Sequence, residues 1–214
     1  SLYIDPSGRA WIGPASGGLI WIHGAQHQSM TGLDLDRDVI YSIAGGPGEI
    51  WVGRRLGGVT QIREEAGVLH QRTYTARDGL APGVVYAVYR GRDGSVWAGT
   101  LSGAVSRIQK GRITTFTTAN GLSADAITTI QETPDGVIWV GTAGGLQMFR
   151  NGRWRKYGSE DGLPPGRVNS LALDGDGVLW IGSSSGLFYW SGMRVESARN
   201  APDLLQRENY GLAA

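Results

Sequence analysis

Trp139-Val140-Gly141 is one copy of a short phrase, tryptophan–apolar residue–glycine, that the chain contains five times. The other copies are Trp11-Ile12-Gly13, Trp51-Val52-Gly53, Trp97-Ala98-Gly99 and Trp180-Ile181-Gly182. Successive tryptophans are 40, 46, 42 and 41 residues apart. A fixed period in this range is typical of proteins that repeat one supersecondary unit. The repeat, rather than any single residue, therefore determines the fold class.

The composition fits a single folded domain made of short strands and tight turns. Glycine accounts for 35 of the 214 residues, roughly twice its usual share, while 41% of the chain is hydrophobic and eight residues are tryptophan. The net charge of +1 gives no electrostatic basis for binding nucleic acid or an anionic membrane. The lack of cysteine excludes disulfides and thiolate metal sites. No apolar run is long enough for a membrane helix, so we expect no membrane insertion by this segment.

The residues around each tryptophan predict four strands per repeat. A β-branched, alternating stretch such as Val84–Val88 forms the first strand. The tryptophan strand is the second, and Gly145–Phe149 is typical of the third. Asn151-Gly152 is a strong hairpin signal before the polar fourth strand Arg153–Tyr157. The first turn of each repeat ends in a glycine three residues before the tryptophan: Gly8, Gly48, Gly94, Gly136 and Gly177.

Four antiparallel strands in about 42 residues describe a blade of a β-propeller. The sequence therefore predicts an all-β fold with five blades, at about residues 1–38, 39–83, 84–125, 126–167 and 168–214, which form a single domain or a fragment of one. We expect Trp11, Trp51, Trp97, Trp139 and Trp180 to pack between blades as structural core. The alternative is a row of exposed rings on which sugars stack.

The stretch Pro134–Leu146, followed by Asp161-Gly162-Leu163, resembles the two-component regulator propeller repeat. All five repeats fit this pattern. The resemblance implies the periplasmic sensory part of a bacterial hybrid histidine kinase or related regulator, with carbohydrate-type ligands in some members. Repeat one departs from the pattern at Pro14 and has a short fourth strand near Gln26–Met30. Repeat two has Gly45-Gly46-Pro47 in place of the usual aspartate turn and carries Arg54-Arg55 after its tryptophan.

The number of blades leaves two arrangements open. Propellers of the resembled family usually have seven blades, whereas this chain shows five. The five blades either close as a ring or form part of a larger one, and we expect a segment excised from a longer protein. An open arc would leave an apolar blade face at each end, so self-association through the blade ends is also expected.

Three patterns that imitate catalytic or metal sites are interpreted as structural. Gly182–Gly186 matches G-x-S-x-G but aligns with a hairpin rather than with a strand-to-helix turn. His23 and His27 bracket a hairpin turn, and His70 is the only other histidine. Asp34, Asp36 and Asp38 begin like a calcium loop, but the glycine and the bidentate glutamate of such a loop are missing, so a solvated loop is expected. We predict no metal, no cofactor and no enzyme activity.

The remaining candidate site is the face made by the loops that join strand two to strand three and strand four to the next blade. Arg54 and Arg55 replace small residues of the other repeats there, and paired arginines suit a carboxylate or sulfate. Two solvated loop arginines are the alternative. The connections between blades add further candidates: Arg77, Asp78, Asp125, Glu160, Asp161 and Arg167.

Three functions are consistent with these features. The first is a non-catalytic sensory module, periplasmic or extracellular, that binds a small molecule, an oligosaccharide or a protein partner. The second is a structural or protein-interaction propeller. The third is a propeller lyase or lactonase, which would need convergent histidines and carboxylates. Three histidines, two of them in one hairpin, argue against the third function.

Overall fold

The computed structural model describes residues 1–30 and 35–200. Within these residues the chain forms twenty strands in five sheets, each with four antiparallel strands that neighbour one another in chain order. The predicted all-β architecture of four-stranded blades is thus confirmed. Three predicted features lie outside the described residues. They are the Gly-Leu pairs at Gly32 and Gly211, each of which leads to a new first strand in the repeat pattern, and Asp34 of the predicted calcium-like loop. No helix in the described part of the chain has the length and hydropathy needed to cross a membrane.

The first of two compact units, Ser1–Thr115, contains blades one to three. Its strands are Leu2–Ile4 (β1), Ala10–Ile12 (β2), Ile20–His23 (β3), Gln26–Ser29 (β4), Ile40–Gly46 (β5), Glu49–Arg54 (β6), Val59–Glu65 (β7), Val68–Tyr74 (β8), Val85–Arg90 (β9), Val96–Thr100 (β10), Val105–Gln109 (β11) and Arg112–Phe116 (β12). Gly45 and Gly46, predicted as a turn, are part of β5, and the turn itself is Pro47-Gly48.

The second unit, Phe116–Ala214, contains blades four and five. Its strands are Ile127–Glu132 (β13), Ile138–Thr142 (β14), Gly145–Arg150 (β15), Arg153–Tyr157 (β16), Val168–Leu173 (β17), Leu179–Ser183 (β18), Gly186–Trp190 (β19) and Val195–Ser197 (β20). Short 3-10 turns also occur in the two units, at Ala76–Asp78, Thr118–Asn120, Ser159–Asp161 and Ala198–Asn200.

Within each unit, the tryptophan strands form the core between neighbouring blades. The exposed fractions of the five repeat tryptophans are small, between 1% and 5%. Trp11 packs with Ile40 and Ile43 of the next blade, and Trp51 packs with Val85 and Val88 in the same way. In the second unit Trp139 lies in one cluster with residues of blade five. Burial of these large rings is therefore a main contribution to the packing of adjacent blades.

In blades one, two and four the glycine of the Trp-x-Gly phrase permits a close approach of the next blade. A Cβ added at Gly53 would lie 2.8 Å from Cγ2 of Val88 and 3.0 Å from Cγ1 of Val85. A Cβ at Gly141 would lie 2.7 Å from Cγ1 of Val168. Side-chain carbons do not approach this closely, so the phrase needs glycine at its third position for packing rather than for a turn.

The connections that follow blades two, three and four share a capped 3-10 turn. In the first of them the backbone N–H of Thr75 donates to Asp78 Oδ2 at 2.8 Å, and Gly79 ends the turn with a φ of +97°. This left-handed conformation favours glycine. The following Leu80 is buried at 3% exposure. The turn thus places the leucine of the Gly-Leu pair in the core and directs the chain to its next first strand.

Candidate functional site

The loops between β6 and β7 and the connection from β8 to β9 line a groove in the first unit. The cavity has a volume of about 380 Å³. We call it the loop-face groove, and its lining residues are Leu56, Gly57, Gly58, Thr75, Ala76, Arg77, Ala81, Pro82 and Gly83. Three of these residues are glycines, so much of the lining is main chain, whose amide groups are suited to hydrogen bonding with a polar ligand.

Arg54 lies beneath this surface rather than on it. It is the last residue of β6, and its Nε donates to Asp38 Oδ2 at 2.7 Å. The side chains of Arg54 and Asp38 are only 7% and 1% exposed. The interpretation of Arg54 as a loop residue is therefore wrong, and so is that of Asp38 as part of a solvated loop. Both predictions failed because the partner of each charge comes from a separate segment of the chain.

The buried ion pair also holds the β6–β7 loop in place. Asp38 Oδ1 accepts a hydrogen bond from the backbone N–H of Leu56 at 3.1 Å. The backbone N–H of Arg55 donates to the carbonyl of Val39 at 3.0 Å. These contacts fix the backbone that carries the exposed Arg55 side chain, so Arg54 supports the loop and Arg55 is the one presented to solvent.

Arg77 at this groove and Arg55 next to it in the chain are exposed cations. Arg77 lines the groove, while Arg55 is adjacent in sequence to the lining residue Leu56. Neither guanidinium forms an ion pair or a side-chain hydrogen bond with another residue of the described ranges, 1–30 and 35–200. A free guanidinium can present two parallel N–H donors to a carboxylate or sulfate.

Asp78 stabilises the turn that carries Arg77. The backbone N–H and the hydroxyl of Thr75 both donate to its carboxylate, at 2.8 and 3.0 Å. These hydrogen bonds hold the pKa of Asp78 below its usual value. The carboxylate is thereby kept ionised and oriented toward the turn, where it supports the connection that carries Arg77.

In the second unit, too, some of the predicted site residues support the fold and others are exposed. Asp161 accepts from the backbone N–H of Gly158 at 3.0 Å and from Arg155 Nη2 at 2.7 Å, so it caps its turn. The carboxylate of Asp125 occupies the space next to Gly144 that a side chain there would need. Glu160 and Arg167 are exposed. Of the predicted site residues in this unit, the exposed ones are thus one acid, Glu160, and one base, Arg167.

A second cleft, also about 380 Å³, lies between blades one and two at the opposite end of the strands. Its walls include Asp5, Trp11, Ile50 and Leu69, and Arg9 Nη1 crosses it to Glu64 Oε2 at 2.9 Å. Sequence reasoning did not identify this cleft. The signal was the departure of repeat two from the usual aspartate turn, because the cleft lies where the turn at Asp5–Ser7 of repeat one meets the turn at Gly46–Gly48 of repeat two.

The patterns that imitate catalytic sites lie in ordinary hairpins. Ser183 pairs with Gly186 across the tight β18–β19 turn, so the G-x-S-x-G match has no strand-to-helix geometry. Ile22 pairs with His27, and His23 pairs with Gln26, in the β3–β4 hairpin. Within residues 1–30 and 35–200 there is no group of three His, Cys, Asp or Glu side chains arranged to hold a metal ion.

Three segments of the chain match the family model described as "Two component regulator propeller": residues 79–102, 121–144 and 162–185. The resemblance predicted from Pro134–Leu146 is confirmed, with matches at three of the five repeats. Each matched segment runs from the connection before a blade into the turn after its tryptophan strand, in blades three, four and five. Repeats one and two, which contain the departures Pro14 and Gly45-Gly46-Pro47, lie outside these segments.

Solved structures with a similar fold include extracellular domains of two putative hybrid two component systems of B. thetaiotaomicron. The BT3049 domain has a TM-score of 0.79 and 21% identity over 91% of this chain and 28% of that chain. The BT4673 domain has a TM-score of 0.60 and 20% identity over 92% of this chain and 32% of that chain. This chain thus spans less than a third of either domain.

A catalytically inactive virginiamycin B lyase from Staphylococcus aureus is a further structural neighbour. Its TM-score is 0.72 at 18% identity, over 91% of this chain and 67% of that chain. None of the curated proteins compared with the chain matches it. At these identities the similarity establishes the β-propeller fold, and function has to be argued from the site.

Proposed function

We propose that this chain, through its two-component regulator propeller repeats, serves as a non-catalytic sensory module that binds an anionic ligand at the loop-face groove. One observation carries the proposal: Arg77 lines that groove and Arg55 directly precedes its lining residue Leu56, and both arginines are exposed without a side-chain partner among the described residues. The neighbouring charges, Arg54 and Asp78, are already held by the fold. An anion would therefore meet two free cations on a fixed backbone.

The ligand class follows from the chemistry of the groove. Guanidinium groups bind carboxylate and sulfate through paired hydrogen bonds. The family resemblance implies carbohydrate ligands in some members. We therefore propose an oligosaccharide that carries carboxylate or sulfate groups. The lining residues Leu56, Ala81 and Pro82 offer small apolar surfaces for the faces of sugar rings.

The setting of the module is proposed from its relatives. The two B. thetaiotaomicron neighbours are extracellular domains of two component systems, so we propose an extracytoplasmic location for this chain as well. A lyase function receives less support, because His23, His27 and His70 are all exposed, on the third and fourth strands of blade one and the fourth strand of blade two. Ligand occupancy, rather than turnover, would then be the signal.

Calorimetric titration tests the proposal with trigalacturonate and a chondroitin sulfate disaccharide as anionic probes and maltotriose as the neutral probe. We expect binding of an anionic probe that weakens with added salt. Arg55→Ala and Arg77→Ala should each weaken it about tenfold, as for the loss of one charge-assisted hydrogen-bonding group. Arg153→Ala, an exposed arginine of the second unit, is the matched control and should bind as the wild type does.

Two results would contradict the proposal. One is equal affinity of the wild type and the Arg55→Ala/Arg77→Ala double variant for every anion that binds. The other is binding of maltotriose that exceeds binding of both anionic probes and is insensitive to salt.

A further inference from the structure

The cleft between blades one and two lies beside the turn in which repeat two departs from the usual aspartate pattern. We call it the inter-blade cleft, and its lining includes Asp5, Arg9, Trp11, Ile50, Glu64 and Leu69. Its volume of about 380 Å³ is at the lower end of the range of small-molecule pockets, roughly 300–1,000 Å³. The cleft therefore suits one small molecule rather than a peptide or an oligosaccharide.

The apolar part of the lining is firmly packed. Trp11, Ile50 and Ile62 are at most 3% exposed and belong to one hydrophobic cluster that joins blades one and two. Leu69 of β8 packs against this cluster and is half-buried. Because these side chains are held by the core, the cleft offers a preformed surface to an apolar body.

Arg9, the one cation of the lining, is already engaged. Its Nη1 donates to Glu64 Oε2 at 2.9 Å, and its guanidinium carbon lies 4.7 Å from the ring centre of Trp21, within the range of a cation–π contact. Nothing among the described residues donates to Oε1 of Glu64, whose side chain is 42% exposed. The inter-blade cleft thus presents a free acceptor beside an occupied cation.

Asp5 adds a negative charge that no cation of residues 1–30 and 35–200 pairs with. Its Oδ1 accepts from the hydroxyl of Ser7 at 2.6 Å and from the backbone N–H groups of Ser7 and Arg9. Its Oδ2 accepts from the indole N–H of Trp11 at 3.0 Å, which leaves it capacity for one further hydrogen bond. Burial acts to raise the pKa of the Asp5 carboxyl, but the hydrogen bonds from Ser7 and Trp11 outweigh it and hold the pKa below its usual value.

The third carboxylate of the lining, that of Glu49, is satisfied from outside the cleft. Its two oxygens accept from Arg90 Nε at 2.9 Å and from Gln61 Nε2 at 2.7 Å. The acceptors left for a ligand are therefore Asp5 Oδ2 and Glu64 Oε1. Both belong to carboxylates, so the charge of the inter-blade cleft favours a cation over an anion.

We propose that the inter-blade cleft binds a small organic cation in which an ammonium or guanidinium group is attached to an apolar body. The cationic group would donate charge-assisted hydrogen bonds to Asp5 and Glu64, and the apolar body would pack on Ile50 and Leu69. This site and the loop-face groove lie at opposite ends of the strands and select opposite charges. The two proposals can therefore fail independently.

Calorimetric titration of the whole chain tests the proposal with pairs of probes that share an apolar body. Tryptamine and phenethylamine are the cations, and indole-3-propionate and 3-phenylpropionate are the matched anions. We expect a cationic probe to bind about tenfold or more tightly than its matched anion, and added salt should weaken this binding. The Arg55→Ala/Arg77→Ala variant should bind the cations as the wild type does.

Two substitutions locate the binding in the inter-blade cleft. Glu64→Gln changes an exposed side chain, and Asp5→Asn keeps an acceptor oxygen; each should weaken binding of the cation about tenfold. Glu65→Gln is the matched control, because Glu65 is the exposed next residue of β7 and does not line the cleft. Circular dichroism and thermal unfolding of each variant would establish that it folds.

Three results would each overturn the proposal. The first is no binding of either cation up to millimolar concentration. The second is equal affinity for the cations and their matched anions. The third is wild-type affinity of the folded Glu64→Gln variant, which would place any bound cation elsewhere on the chain.

Discussion

The indole N–H of Trp180 donates to Asp174 Oδ2 at 2.9 Å. Asp174 lies six residues before the tryptophan, in the turn between the first two strands of blade five. The same spacing recurs in blade one, where Trp11 Nε1 donates to Asp5 at 3.0 Å, and in blade four, where Trp139 Nε1 donates to Thr133 Oγ1 at 3.2 Å. The turn thus supplies the acceptor for the polar atom of a buried ring.

Asp174→Ala should destabilise the chain by about 1–3 kcal/mol, the usual cost of leaving a buried donor unpaired. The carboxylate also accepts from the backbone N–H groups of Asp176 and Val178 at 3.0 and 2.9 Å, so the turn loses support as well. Urea unfolding measures the change in the free energy of unfolding. Asp174→Asn keeps an acceptor oxygen and should lose less than half as much. Equal stability of the alanine variant and the wild type would contradict this role.

Gly53→Ala should destabilise the contact between blades two and three by about 1–3 kcal/mol, as expected for an overpacked core. The added Cβ would meet Val88 and Val85 at 2.8 and 3.0 Å. Gly175→Ala is the matched control, since a Cβ there meets nothing within 4 Å and should change stability by no more than about 0.5 kcal/mol. Thermal or urea unfolding of both variants provides the comparison. If the two substitutions had the same effect, the close approach at Gly53 would not explain why the phrase ends in glycine.

The strands were predictable from the sequence because their signals are local. Alternating apolar residues and glycine turns fix four short strands around each tryptophan, and the observed sheets follow that order. The acceptor six residues before Trp11 and Trp180 was also visible in the sequence as an aspartate, although its partner could only be assigned from the structure. The close approach of Val88 explains the glycine of the phrase, and this contact joins residues from different blades.

The candidate site was predicted less well because its charges depend on strand ends and distant partners. Arg54 and Arg55 are adjacent in sequence, but β6 ends at Arg54. The first side chain is therefore buried with the rest of the strand, and the second, in the turn that follows, is exposed. The acceptor for Arg54 is Asp38, 16 residues earlier. No local pattern distinguishes such an internal pair from two solvated loop residues.

Glu49→Gln should reduce the loss of unfolding free energy that the chain undergoes when the pH is lowered. Burial acts to raise the pKa of the Glu49 carboxyl, but hydrogen bonds from Arg90 and Gln61 outweigh it and hold the pKa below its usual value. A lowered pKa in the folded state stabilises the fold above the unfolded pKa of about 4.3. This contribution is lost as the pH falls through the folded value.

Urea unfolding at neutral pH and at about pH 3 measures this effect. The gap in unfolding free energy between the wild type and Glu49→Gln should be largest at neutral pH and should shrink in acid. Glu160→Gln, at an exposed residue of the second unit, is the control and should follow the wild type. A gap of constant size across this range would show that the charge of Glu49 does not matter.

Asp38→Ala should be among the most damaging single substitutions, because it leaves the guanidinium of Arg54 buried without its carboxylate. Removing one member of a buried ion pair typically costs about 3–5 kcal/mol. The variant also loses the acceptor for the Leu56 amide, so the loop that carries Arg55 is released. Binding of an anionic probe at the loop-face groove should weaken together with stability, although Asp38 itself is only 1% exposed.

A double-mutant cycle separates the ion pair from the loss of packing. Asp38→Ala/Arg54→Met removes both charges and keeps most of the aliphatic volume of the arginine. It should therefore lose less stability than the sum of the losses measured for Asp38→Ala and Arg54→Met singly, and the difference is a coupling energy of about 0.5–3 kcal/mol between the two positions. Strictly additive effects would contradict the coupling. In that case Asp38 would act on the loop through the Leu56 amide alone, and the charge of Arg54 would be tolerated in the interior without its partner.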